Sequence, residues 1–337
     1  MQEKLMTKTR KVIKDCSRPN GALVAAPYTR KEAKNYRFVW PRDAMYTCKA
    51  ARILDIPIQE KYLDWCLKAQ DKGLFYEKYY INGKKALHHF QPDQTGSVLI
   101  TAYEHVKETN SDQTKLITLA ADAICNLWKK DHFDCITQDL WEERFCFPDL
   151  KENFTYSLAI CARGLECADK IIPNKRWRQT ARQMRHVLES FKEYFFRSKG
   201  KINDTRIDTS LLGLVWPAKI IPPDDKRMQK TVELIEQKLS TKSGIHRYEH
   251  DEYDGWMYGS YHRKKGSGYW PLLNFWMAIY YANINRKKAL RYYNKVLHDL
   301  KDDNIPEQIF DNNIQVSVSP LCWSHSMFII ATDKLKI

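Results

Sequence analysis

The chain has no run of about 18 consecutive apolar residues, the length a membrane-spanning helix requires. Its longest apolar stretches, such as FWMAIYYA, suit a buried helix instead. Residues 1–16, MQEKLMTKTRKVIKDC, hold no apolar stretch long enough for a signal peptide. The nine cysteines, an odd number, include no C-x-x-C pair. That argues against zinc knuckles and against a regular disulfide framework. Reduced thiols in a cytoplasmic protein, without membrane association, are therefore expected. His246, His250 and His262 stand in no recognisable ligand spacing, so neither a metal nor another cofactor is expected. No linker, low-complexity segment or convincing sequence repeat interrupts the chain. The expectation is one domain over residues 1–337.

What the chain does have is rings and positive charge. Hydrophobic residues make up 43% and aromatics 12%, enough for a sizeable core. Ten Trp and nineteen Tyr are a supply that ligand clefts often need. The formal charge of +14 raises the question of nucleic acid. Yet Lys and Arg are dispersed, with short clusters only, such as NKRWRQTARQMRH (174–186) and HRKK (262–265). The first reads as a helix with a solvated basic face, and no nucleic-acid-binding motif accompanies it. A Lys-rich surface is the simpler reading.

Apolar residues recur at spacings of three and four along most of the chain. They predict twelve helices, at 3–15, 41–54, 58–69, 93–107, 111–130, 153–171, 174–197, 207–215, 225–239, 268–284, 286–300 and 318–333. Connections from even to odd helices are mostly tight, whereas those from odd to even are mostly long. If successive helices run up and down, the long loops all emerge at one end. Six antiparallel pairs closed in a ring would then form an all-α double barrel with one rim of long loops. Long loops in a compact domain are usually functional.

Those loops carry four unusual segments. NYRFVWPRDAMYT (35–47) sets Arg42 and Asp43 among Tyr36, Phe38, Trp40 and Tyr46. Pro41 and Asp43 suit a helix start, but Arg42 does not, because a cation is disfavoured at that end. The segment reads either as a helix start with core aromatics or as a ring and charged pair for gripping hydroxyls. DLWEERF (139–145) places Glu142 and Glu143 directly after Trp141. It is either an exposed acidic pair or a carboxyl kept protonated by an indole and a second acid. DDNIPEQIFDNN (302–313) puts Glu307 in an apolar patch, as a turn former or as a second functional acid. RYEHDEYDGW (247–256) interleaves Arg247 and Asp251 with Tyr248, Tyr253 and Trp256, as a polar loop or a binding edge. The barrel argument brings Glu142 and Glu307 to the same rim. Two carboxyls across a cleft are the minimum equipment for glycoside hydrolysis.

In chain order these segments resemble glycoside hydrolase family 15, the glucoamylase-like enzymes. The resemblance rests on Y-x-x-x-W-x-R-D (36–43), D-L-W-E-E (139–143), R-Y-x-x-D-x-Y (247–253), P-E-Q (306–308) and the W-S of Trp323 and Ser324. It implies an (α/α)6 barrel of six helical hairpins, with Glu142 as general acid and Glu307 as general base. It further implies that Tyr36 orients the water, that Arg42, Asp43 and Arg247 hold the terminal glucose, and that Trp40, Trp141 and Trp323 wall the pocket. Glu143, Asp251 and Tyr253 complete the implied substrate-binding set. The pair of acids predicts inversion, with carboxyls roughly 6.5–9.5 Å apart and β-glucose released. A raised pKa at Glu142 is expected from Glu143 and Trp141, and loss of Arg42 is expected to weaken glucose binding more than stability.

The chain begins almost at the barrel, so neither an N-terminal β-sandwich nor a starch-binding module is expected. Maltooligosaccharides or other α-glucans are the first substrate expectation, α,α-trehalose the second and an α-1,6-glucan the third. A non-catalytic glycan-binding or regulatory module, of the kind found in phosphorylase kinase subunits, is the alternative of another class. Keeping both Glu142 and Glu307 argues against it.

Overall fold

The computed structural model describes residues 2–242, 244–255, 266–312 and 314–337. The predicted Trp256, His262 and 262–265 features lie outside these residues. Eleven α-helices are present among the described residues. They are α1 (Gln2–Cys16), α2 (Pro41–Ile53), α3 (Gln59–Ala69), α4 (Pro92–Thr109), α5 (Thr114–Leu127), α6 (Thr155–Ile171), α7 (Lys175–Glu189), α8 (Lys226–Lys238), α9 (Pro271–Tyr281), α10 (Arg286–Asp299) and α11 (Cys322–Leu335). Between α7 and α8 the expected helix over 207–215 is a 3-10 helix, Thr209–Leu214.

These twelve segments form two concentric rings. The inner ring runs α2, α4, α6, the 3-10 helix, α9 and α11, and closes where α11 packs on α2. This is the (α/α)6 barrel. Burial separates the rings as the sequence demands. All eleven residues of α9 are buried, whereas α7, α8 and α10 bury one amphipathic stripe and leave Lys and Arg in solvent. A single continuous core runs from Leu5 to Leu335. Where α4 crosses α6 there is room only for glycine. A Cβ on Gly96 would lie 2.8 Å from the Ile160 carbonyl oxygen, and one on Gly164 would lie 2.9 Å from that of Gly96.

Two of the expected helices needed shortening or replacing. Helix 174–197 stops at Glu189, because Phe191, Phe195 and Phe196 pack on one another instead of continuing the turn. The Phe195 amide donates to Thr231 Oγ1 at 2.8 Å, and Ser198 pairs with Phe154 in a short ribbon. The 207–215 segment is 3-10 over Thr209–Leu214 and ends before Trp216-Pro217. Gly213 also packs so tightly that a Cβ would sit 2.6 Å from the Tyr156 ring.

Three inner helices begin alike, at Trp40-Pro41, Gln91-Pro92 and Trp270-Pro271. Proline is pre-shaped for the first helical position and forces an extended conformation on the residue before it. Trp40, Gln91 and Trp270 are indeed extended, with φ between −102° and −111°. Each side chain is thus set at the N-terminal mouth of the inner ring, where the long loops gather.

Candidate active site

A cavity of about 910 Å³ opens at this mouth. Eleven of the twelve residues singled out from the sequence line it: Tyr36, Trp40, Arg42, Asp43, Trp141, Glu142, Glu143, Arg247, Tyr253, Glu307 and Trp323. The twelfth, Asp251, stands behind Arg247, accepting from its Nε at 2.9 Å and its Nη2 at 2.7 Å.

Glu142 sits at the tip of a hairpin made by β1 (Thr137–Gln138) and β2 (Phe145–Cys146). Asp139 builds the tip. Its carboxylate accepts from the amides of Glu143 at 2.9 Å and Arg144 at 3.1 Å, and its carbonyl from the Glu142 amide at 3.2 Å. Glu142 itself adopts φ +66°, the left-handed region that non-glycine residues seldom occupy. Its Oε1 accepts from the Trp40 indole at 2.5 Å and its Oε2 from Lys78 Nζ at 3.3 Å. Burial pushes the Glu142 carboxyl up to about 8, with Lys78 pulling it down and Glu77 pushing it further up.

This differs from the expected cause. Trp141 donates its indole N–H to both oxygens of Asp208, at 3.1 and 3.0 Å, and not to Glu142. Glu143 turns away to Arg247, at 2.7 Å, and to the Tyr248 hydroxyl. Adjacency in sequence is misleading here because Glu142 takes a left-handed turn conformation, and its carboxyl and that of Glu143 reach different partners.

Glu307 comes from the loop before α11 and is 6% exposed. Tyr36, the last residue of the 3-10 helix Lys31–Tyr36, donates its hydroxyl to Glu307 Oε2 at 2.8 Å and shares a 2.7 Å hydrogen bond with Tyr253. Burial pushes Glu307 up to about 8. The Tyr36 hydrogen bond and the Arg247 charge oppose this, while Glu142 and Asp43 add to it. The loop is fixed from below by a buried histidine. His325 Nε2 accepts the Ile305 amide at 2.9 Å, and Nδ1 pairs with Thr9 Oγ1 at 2.8 Å.

Arg42 is 2% exposed in the first turn of α2. Its Nη1 donates to Gln91 Oε1 at 2.9 Å and lies 3.2 Å from Asp93 Oδ2, and its Nε lies 3.3 Å from Asp43 Oδ1. The guanidinium also lies 5.5 Å from the Trp323 ring centroid. Asp93, 0% exposed, relies on Arg42 and on Ser157 at 2.7 Å. Losing Arg42 would leave a buried carboxylate without its counter-charge, a cost in stability beside the expected loss of glucose binding. Arg247 is set among rings, 4.9–5.3 Å from the centroids of Tyr253, Trp270, Tyr248 and Trp141.

Sequence reasoning missed Gln91, Asp93 and Trp270, which the repeated X-Pro helix start could have flagged. It also missed Glu77 and Lys78, for which no pattern exists. Among the described residues, no group of three or more His, Cys, Asp or Glu could hold a metal, and no helix is long and apolar enough to cross a membrane.

Comparison with known proteins bears on the chemistry. The profile of Glycosyl hydrolases family 15 matches residues 55–333. An uncharacterised glycosyl hydrolase of Methanocaldococcus jannaschii is 32% identical over 92% of this chain and 52% of its own length. A trehalase of Mycobacterium tuberculosis is 25% identical over 81% of this chain and 45% of its own, and an isomaltose glucohydrolase of Kribbella flavida 22% over 94% and 88%. The chain thus spans about half the length of the first two. A solved structure described as a wild-type glycosidase superposes with a TM-score of 0.81 at 21% identity, over 99% of this chain and 97% of that one.

Proposed function

The chain belongs to glycosyl hydrolase family 15, and from that premise we propose that it is an inverting, exo-acting α-glucosidase. In this reading it removes terminal glucose from the non-reducing end of α-glucans or maltooligosaccharides. The observation that carries the proposal is the pair of carboxyls, Glu142 and Glu307, lining one cavity from two loops, with polar groups already set on both.

Burial raises both carboxyls to about 8, so the roles are taken from the family motifs that the two residues match. In this reading Glu307, with the Tyr36 hydroxyl and the Arg247 charge favouring its anion, is the base, and Glu142 is the acid. In one displacement, Glu307 takes a proton from water while the water oxygen bonds to the anomeric carbon. The glycosidic C–O bond breaks on the opposite face, and its oxygen takes the Glu142 proton. Solvent then restores both protonation states, and the product anomer is inverted. Arg42, Asp43 and Arg247 would grip the hydroxyls of the terminal sugar, with Trp40, Trp141 and Trp323 as walls.

Maltooligosaccharides are favoured by an aromatic path out of the cavity. Phe38 stands edge-on to Trp40, and the half-exposed Tyr80 lies 5.2 Å from Phe38. A second reading, α,α-trehalose hydrolysis, is supported by the relative named trehalase. The relative named isomaltose glucohydrolase keeps α-1,6-linked glucose third. Glucose release from maltotriose, trehalose and isomaltose by wild type, Glu142→Gln and Glu307→Gln tests this. Turnover lost in both variants supports the assignment. Wild-type inactivity on all three would favour a glycan-binding module, and normal activity in either variant would refute the pair.

A further inference from the structure

Beside Glu142 stand two charged residues that belong to none of the sequence motifs. Glu77 and Lys78 lie in the loop between α3 and α4. Glu77 is 1% exposed and tied down at every polar group. Its Oε1 lies 2.9 Å from Lys78 Nζ and its Oε2 3.0 Å from His89 Nδ1. Its amide donates to the His89 carbonyl at 3.0 Å, and its carbonyl accepts from Gln94 Nε2 at 3.0 Å. Lys78 then bridges onward, to Glu142 Oε2 at 3.3 Å, and covers the Trp40 ring at 5.3 Å from the centroid.

Lys78 Nζ thus touches the carboxyls of both Glu77 and Glu142, at 2.9 and 3.3 Å. Two carboxyls bracketing one cation act on each other's ionisation, and a negative charge on one favours the proton on the other. The neighbours decide which one is ionised. Glu77 has Lys78 and His89 on its two oxygens. The charged groups facing Glu142 are Lys78 and Glu77 from this loop, Arg42 from the first turn of α2, and Glu307 from the loop before α11. Burial works against the Glu77 anion, but the influence of Glu142, Lys78 and His89 outweighs it and holds Glu77 below its ordinary value.

We propose that Glu77 and Lys78 are positioning residues that set the proton affinity of Glu142 in opposite senses, Glu77 holding the proton on and Lys78 easing its release. The proposal rests on the assignment of Glu142 as general acid. Glu77, anionic, holds the proton on its neighbour in the resting site. When the Glu142 O–H bond breaks and the leaving oxygen takes the proton, two adjacent anions are left. Lys78, touching both, offsets one of them until solvent reprotonates Glu142. An ordinary ion pair on a loop would need neither the buried carboxyl nor a lysine shared with a second carboxyl.

The experiment is the pH dependence of kcat/KM for the intact protein, on whichever of the three glucosides it cleaves. Glu77→Gln removes a negative charge from beside Glu142 and should move the alkaline limb to lower pH by about 1 unit or more. Lys78→Met removes a positive charge and should move it to higher pH, and Lys78→Arg should return it towards the wild-type position. The opposite signs distinguish charge tuning from a merely structural role, which would lower kcat without moving the limb. Carboxyl carbon NMR of Glu-labelled protein, with the Glu142 signal identified by its loss in Glu142→Gln, follows the same titration without turnover. An inactive wild type would sink the hydrolase reading, while the NMR shift would still decide whether Glu77 raises Glu142. Limbs and NMR titrations that coincide in wild type, Glu77→Gln and Lys78→Met would overturn the proposal. Should Glu77→Gln fail to fold, Lys78→Met carries the decision.

Discussion

Moving the protein from neutral pH to pH 5 should remove the stability that one side chain, His325, contributes to the fold. This residue is 0% exposed in the first turn of α11. Its Nε2 must accept, because its partner is the Ile305 N–H, so the single ring proton is on Nδ1 and points to Thr9. Protonating Nε2 would destroy the bond to Ile305 and bury a charge beside an amide proton. Burial and the nearby Lys8 charge accordingly push His325 down to about 3, against an ordinary value of 6.5. Between these values the unfolded chain binds a proton that the native state refuses. Stability is therefore complete above the ordinary value and is lost as pH falls towards about 3. At pH 5 the interval below the ordinary value is about 1.5 units, which corresponds to about 2 kcal/mol. Urea unfolding of wild type and His325→Gln across pH 7.5 to 5 measures it. The wild type should lose up to about 1.4 kcal/mol per pH unit more than the variant. Equal slopes would refute the reasoning. Because Ile305 is two residues from Glu307, the same acidification should loosen the loop that presents this carboxyl.

Glu142→Gln and Glu307→Gln should each lower kcat by at least about 100-fold, read as glucose release, since each removes a proton donor or acceptor from the displacement. Glu307→Gln should not lower the unfolding midpoint at pH 8. A carboxyl raised to about 8 withholds stability progressively as pH climbs from its ordinary value of 4.5, and the amide lifts that penalty. Arg42→Ala should cost about 3–5 kcal/mol in urea unfolding, because it leaves Asp93 buried without its counter-charge. Gly213→Ala should cost about 1–3 kcal/mol by driving a methyl into the Tyr156 ring, with melting temperature as the readout.

The barrel was legible in the sequence because its outer helices alternate solvent and core at helical spacing, while the inner ones bury most of their residues, α9 all of them. The inner helix TSLLGL was readable as apolar but not as 3-10, where Gly213 packs closely on Tyr156. The site was legible wherever its residues share a loop: Tyr36 through Asp43, Trp141 through Glu143, Arg247 through Tyr253. It was illegible wherever a partner comes from elsewhere. Nothing in DLWEE indicates that Trp40, rather than Trp141, donates to Glu142, or that Glu143 belongs to Arg247. Gln91, Asp93, Glu77 and Lys78 belong to none of the sequence motifs. Their meaning lies in contacts between loops, which residue spacing does not encode.

The central claim, single-displacement hydrolysis by Glu142 and Glu307, is tested most directly by proton NMR of the anomeric region during the first turnovers on maltotriose, with trehalose run separately. The account predicts β-glucose appearing from maltotriose before mutarotation mixes the anomers. α-Glucose appearing first would contradict it.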